Sequence, residues 1–271
     1  MRKKDYKMKR FLLLLISVVL LACSCSKIEL AGITERINVS VPDSFTGIYV
    51  SGNIDVIFAD GIDVAQVEAD VNLLPYVNVY GKGKQLKIEF EDGLNVKTGA
   101  LKASVKIPYK KGVNIISASG SASFVSDYPI ASKDIGIAAT GASEVICHVL
   151  AESSATVQLT GASSFECGSL SAGILNLTLT GASEMNAAGK VVSGHIELSG
   201  ASELEGISSV QKYSLEIGSC YGTLSGASEA SFKSNGLISC NLSGDSSISY
   251  IGNADISGSK CYDTSEVEKI D

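Results

Sequence analysis

Thr140-Gly141-Ala142-Ser143, Thr160-Gly161-Ala162-Ser163 and Thr180-Gly181-Ala182-Ser183 are one phrase written three times at an interval of twenty residues. Looser copies extend it in both directions. Ser119-Gly120-Ser121-Ala122 comes before it; Ser199-Gly200-Ala201-Ser202, Ser225-Gly226-Ala227-Ser228 and Ser243-Gly244-Asp245-Ser246 follow. From Gly120 to Gly244 successive glycines stand 21, 20, 20, 19, 26 and 18 residues apart. A period near twenty is the mark of units that cannot bury their apolar side alone and do so by stacking on each other. The interval of 26 implies an insertion of about six residues, a loop within 206–220.

Aligned on the glycine, the side chains sort by parity. Two residues before it stand Ala118, Ala139, Leu159, Leu179, Leu198, Leu224 and Leu242, and four before it Ile116, Ile137, Val157, Leu177 and Ile196. Between them the chain is polar, as at Gln158, Thr178, Glu197, Thr223 and Asn241. That alternation predicts a strand with one face buried. Phe124, Val145, Phe165, Met185, Leu204, Ala230 and Ile248, four after the glycine, predict a second inward-facing strand beyond a corner. The corner is Gly-Ala-Ser: glycine for a positive φ, alanine for the inside of the bend, and serine to hydrogen-bond to the next coil. With two strands placed and room for a third, the expected fold is all-β, a right-handed parallel β-helix of about twenty residues per coil. It would occupy residues 113–259, behind a less regular β-rich portion at 36–112, with 260–271 as a cap or tail.

Residues 1–22 read as an export signal. Six basic residues precede an apolar run from Phe11 to Leu21 that is too short to span a bilayer comfortably. Leu20-Leu21-Ala22-Cys23 has the form of a bacterial lipobox, which makes Cys23 the lipid attachment site and 23–35 a linker; Cys25 is the weaker alternative. From residue 23 onward the chain holds 16 Lys+Arg against 28 Asp+Glu, and Arg36 is its one arginine. Such a surface repels nucleic acid and other polyanions, so no nucleic-acid partner is expected.

Residues 36–112 read as strands at 36–41, 47–58, 65–69, 77–80, 85–90 and 102–108, with turn signals at Asp60-Gly61, Gly81-Lys82-Gly83 and Asp92-Gly93. The run Val50-Ser51-Gly52-Asn53-Ile54-Asp55-Val56, followed by 67–72 with Leu73-Leu74, then 86–88, then Val105-Lys106-Ile107-Pro108, resembles the "putative auto-transporter adhesin, head GIN domain" family. The resemblance runs from about Arg36 to Asp255. It implies an all-β protein ending in a β-helix and exported to the envelope, with adhesion suggested and no catalytic residues to carry over. It also gives Gly52, Asn53 and Asp55 a structural role, as a turn and polar cap. Surface-displayed lipoproteins of related bacteria often carry acidic residues just after the acylated cysteine. Ser24-Cys25-Ser26-Lys27-Ile28 has none, so the side of the outer membrane stays open.

Candidate chemistry is sparse. Cys147 and Cys167 share a register and are expected as stacked, buried thiols. Cys220 and Cys240, also twenty apart, are the better disulfide candidates if the insertion lets them meet. Glu184, Glu203 and Glu229, three after the glycine, would stack into a row that could act as a cation ladder. Carboxylates at a corner more often splay into water, so no metal and no cofactor is assigned. Polysaccharide-active enzymes on such scaffolds want clustered carboxylates and exposed rings. This chain has no Trp, and His148 and His195 fall at different registers. The expected protein is a non-enzymatic, lipid-anchored envelope protein that presents its repetitive face to a glycan, an envelope protein or a second copy of itself. A glycan-active enzyme, which would use exposed Tyr213 and Tyr221, and a purely structural spacer are the alternatives.

Overall fold

Alternation of apolar and polar residues, broken every twenty residues by Gly-Ala-Ser, produces an all-β chain in the computed structural model, which describes residues 27–208 and 214–270. The expected export signal at 1–22, Cys23, Cys25 and Tyr213 lie outside the described residues. Apart from one short 3-10 turn, Leu74–Tyr76, the regular elements are strands, and they belong to one continuous sheet of 21. Among the described residues no helix is long and apolar enough to cross a membrane.

Each repeat pairs in parallel with the next, residue for residue. Leu159 lies opposite Ala139 on one side and Leu179 on the other, and Leu179, Leu198 and Leu224 continue the line. Beyond the corner the same holds for Phe124, Val145, Phe165, Met185, Leu204 and Ala230. A third strand closes each rung: Ile130 faces Val149 and Val149 faces Leu170, while Ala172, Val191 and Ile217 form a second inward line. All these side chains are buried. Lining up like residues fills the interior with layers that each rung cannot close alone.

The corners explain the glycines. Gly141, Gly161 and Gly181 have φ of 81°, 89° and 88°, and a Cβ on any of them would fall within 2.8 Å of the preceding glycine's carbonyl oxygen. That carbonyl accepts the N–H of the following repeat's alanine, Ala162 from Gly141 at 2.8 Å and Ala182 from Gly161 at 2.8 Å. The serines are buried and bond backward. Ser163 Oγ donates to the carbonyl of Ala139 at 3.0 Å and accepts the Thr160 N–H at 3.1 Å. Ser143 does the same with Ala118 and Thr140. The serines therefore fasten each corner to the strand beneath through backbone and not through the neighbouring hydroxyl, and Ser143, Ser163, Ser228 and Ser246 also tie their own corner.

The two ends depart from the expected outline. The single strand expected over 47–58 breaks into Gly47–Gly52 and Ile54–Ala59, because Gly52, with φ of 92°, is an earlier corner of the same ladder. This rung lies between two others. Gly47–Gly52 pairs with Ile115–Gly120 on one side and with the later strand Gln85–Phe90 on the other. Ile54–Ala59 likewise sits between Ser123–Val125 and Ala103–Pro108. The chain thus lays down its second rung outside the first, then steps over it to begin the regular repeats. Antiparallel strands finish this end: Val77–Lys82 beside Gln85–Phe90, then Ala65–Asp70 and Thr34–Val39 beyond Ala103–Pro108.

At the other end, the stretch 260–271 is expected as a cap or tail, and within it Lys260–Cys261 and Glu266–Lys269 add a further rung. Lys260–Cys261 pairs with Asn241 and Leu242, and Glu266–Lys269 with Ser247–Tyr250. Asp263, at φ 58°, occupies the corner where other rungs have glycine, and its Oδ2 accepts the Gly244 N–H at 3.1 Å. The insertion falls within the stretch expected from the spacing. Leu215–Gly226 is already in register with the rung before it, and the excursion leaves between Gly206 and Leu215, with Ile207 bridged to Ser214.

Candidate binding faces

Every rung shows solvent two strips of sheet that meet at the glycine corner, and strict register turns each outward position into a row. On the strip before the corner the row nearest the glycine runs Thr140, Thr160, Thr180, Ser199 and Ser225. The hydroxyls bond to one another and to backbone, Thr180 Oγ1 to Thr160 Oγ1 at 3.3 Å and to the Leu159 carbonyl at 3.4 Å. Two further rows carry Gln158, Thr178, Glu197 and Thr223, then Thr156, Asn176, His195 and Tyr221. Tyr221 is exposed and directly opposite His195. This strip is dense in hydroxyl and amide groups and carries one carboxylate, Glu197, and one imidazole, His195.

The strip after the corner is acidic. Glu144, Ser164, Glu184, Glu203 and Glu229 lie opposite one another in sequence, with Glu166, Asn186 and Glu205 in the row beside them. Burial, followed by the charges of Glu184, Glu229 and Glu205, pushes the Glu203 carboxyl above its ordinary value. The row inferred from spacing therefore exists, and its charges feel each other. They do not converge: among the described residues no group of three or more His, Cys, Asp or Glu side chains is placed to hold a metal ion.

Four of the described cysteines lie inside the stack. Cys147 and Cys167 are free, buried neighbours; burial raises both thiols, that of Cys167 to about 12. Cys220 and Cys240 are also free and buried, with Sγ atoms 4.0 Å apart. They do not share a row, since Cys220 lies opposite Ile238 and Cys240 opposite Gly222, so the thiols meet on a diagonal. Contact with Cys240, then burial, pushes the Cys220 thiol up. Cys261 is exposed.

The histidines are separated, as their registers imply. His195 stands on the hydroxyl strip, whereas His148 lies in the short step between the strands Glu144–Ile146 and Val149–Gly161, close over Gly168, with its Nδ1 buried and unpartnered. Two open clefts flank the irregular end. One of about 400 Å³ is bounded by Ser51–Asn53, Phe90–Leu94 and Leu101. The other, of about 450 Å³, is bounded by Lys27–Glu29, Val71, Asn72, Pro75 and Tyr76. Sequence reasoning missed both, because their walls come from segments far apart in the chain. The eighth Gly-Ala-Ser-like corner, Tyr262-Asp263-Thr264-Ser265, was missed as well, although its Ser-Glu-Val ending and its spacing of 19 from Gly244 mark it.

Comparison with known proteins places these features in context. A family profile described as "Putative auto-transporter adhesin, head GIN domain" matches residues 44–254. The crystal structure of a "putative adhesin" from Parabacteroides merdae superposes with a TM-score of 0.77 at 20% identity, covering 90% of this chain and 99% of the other. A "putative adhesin" from Parabacteroides distasonis gives 0.74 at 21%, covering 90% and 100%. A "putative lipid binding protein" from the same species gives 0.68 at 16%, covering 91% and 100%. No protein of curated function matches the chain in sequence.

Proposed function

The chain belongs to the auto-transporter adhesin, head GIN domain, family, and from that premise we propose that it is a non-enzymatic envelope lipoprotein that binds glycan on its hydroxyl strip. The observation that carries this reading is the strip itself: rows of Thr, Ser, Asn and Gln in register over successive rungs, with His195 and the exposed ring of Tyr221 side by side. Hydroxyls and amides both donate and accept hydrogen bonds, and a tyrosine face packs against the apolar side of a sugar ring. A repetitive ligand suits a repetitive surface. The names of the similar structures fit adhesion, and none of them names a catalyst.

In this reading the rungs wind as a right-handed parallel β-helix, the hand that parallel connections almost always take. Residues 1–22 act as the export signal and Cys23 carries the lipid that holds the protein to the outer membrane. Two or more acyl chains give stable attachment, at roughly 0.8 kcal/mol per buried methylene. The test is a glycan and envelope-extract screen with product release read in the same wells. Saturable binding without product is expected, weakened about tenfold or more by Tyr221→Ala or His195→Ala. Product release, or binding indifferent to both substitutions, would refute the assignment.

A further inference from the structure

We propose that the N-terminal end of the stack is a seat for a lipid bilayer surface, so that the rungs stand away from the membrane with the last rung outermost. The inference rests on the lipid attachment at Cys23 proposed above. Four residue steps separate Cys23 from Lys27, a reach of at most about 14 Å. Lys27 is not free to lead elsewhere. Ile28 is bridged to Val96, its N–H donates to the Asn95 carbonyl at 2.7 Å, and Glu29 pairs with Lys97 at 2.9 Å. A lipid on Cys23 thus has to enter its bilayer beside this end.

The end has the surface such a neighbour requires. Among the described residues Thr34–Val39 is the last strand of its face and pairs only with Ala65–Asp70. Ile37 lies opposite the buried Val67, on the parity that faces the core in inner strands, yet it is 40% exposed; Ile33, just before the strand, is 59% exposed. The cleft of about 450 Å³ bounded by Ile28, Val71, Pro75 and Tyr76 opens beside them, since the Val71 N–H bonds to the Ile33 carbonyl. Lys27 lines the cleft and Lys97, paired with Glu29, is bonded to Ile28 beside it, and long cationic side chains at an interface lay their stems on acyl chains and hold their charges among headgroups.

Charge gives the same orientation. Residues 27–112 hold ten basic and eleven acidic side chains, whereas residues 113–271 hold six and seventeen. An anionic leaflet repels the second part over a Debye length of about 8 Å and leaves the first indifferent. Eleven strand spacings of about 4.8 Å separate Thr34–Val39 from Glu266–Lys269, so the last rung would stand roughly 50 Å out.

The chain contains no tryptophan, which makes a single introduced indole a clean reporter. Full-length protein, acylated in a bacterial host, carries either Ile37→Trp or Tyr262→Trp and is reconstituted into phosphatidylethanolamine–phosphatidylglycerol vesicles with brominated acyl chains. Flotation of the chain but not of its Cys23→Ala variant establishes the anchor. The expected result is then a blue shift and about twofold quenching for Ile37→Trp, with neither for Tyr262→Trp. Where Ile37→Trp lowers the melting temperature, Ile33→Trp, at the more exposed position, gives the same readout. Flotation without quenching at Ile37 or Ile33, or equal quenching at Tyr262, would overturn the seat and leave the anchor standing. Flotation indifferent to Cys23→Ala, or none at all, would overturn the anchor and the seat with it.

Discussion

Replacing Gly161 by alanine tests the corner argument at the middle of the stack. Gly161 has φ of 89°, and a Cβ built on it lies 2.8 Å from the Gly141 carbonyl oxygen and 3.2 Å from the Gly141 nitrogen. The left-handed conformation alone costs an L-residue about 1–2 kcal/mol. The contact cannot be relieved by a rotamer, because the obstructing atoms are backbone. Relief must lengthen the bond from the Ala162 N–H to that same carbonyl, now 2.8 Å, which forfeits about 1 kcal/mol more. The expected destabilisation is therefore about 2–3 kcal/mol. Gly136→Ala is the matched control. It lies in a strand of the same stack, with nothing within 4 Å of its built Cβ and no positive φ. There the substitution should be neutral or stabilise by up to about 1 kcal/mol. Urea unfolding of the two variants at unchanged m-value reads the difference directly. Equal midpoints for Gly161→Ala and Gly136→Ala would refute the claim that stacking demands glycine.

Three further outcomes follow from the same geometry. Asp263→Ala should cost about 1 kcal/mol, because alanine keeps the left-handed strain and loses the bond to Gly244, whereas Asp263→Gly should not; urea midpoints decide. Glu203 has a raised carboxyl in the folded state, so its contribution is favourable at low pH and is lost as pH rises through the ordinary value of 4.5 and the folded value above it. Glu203→Gln should then raise the melting temperature at pH 7 more than at pH 4, and added salt should shrink the gain. Iodoacetamide at pH 8 should modify Cys261 in the native protein and spare Cys147, Cys167, Cys220 and Cys240, as peptide mass spectrometry would show; modification of any buried thiol at the rate of Cys261 would contradict the packing.

What could be read from the residues was whatever depends on near neighbours in the chain and is then repeated. The positive φ of Gly141, Gly161 and Gly181, the parity of Leu159 and Phe165, the corner serines and the in-register line of Glu184, Glu203 and Glu229 are local patterns. Multiplied by a period of twenty, they leave one arrangement that buries all the apolar positions together. The disguised corner at Asp263 escaped because one side chain, tolerated in the left-handed region through its own hydrogen bond, replaces the glycine that signals the turn. The irregular end was decided by tertiary structure alone. No local signal says that Gln85–Phe90 and Ala103–Pro108 stack outside Gly47–Gly52 and Ile54–Ala59, because all four strands have the same inward parity and could pair in either order. The order came from competition among whole strands for a finished edge. In the arrangement adopted, Ala65–Asp70 pairs antiparallel with Ala103–Pro108 and carries Thr34–Val39 beyond it. The same competition leaves Ile33 and Ile37 uncovered beside Lys27, a surface that exists only because strands distant in sequence end there together.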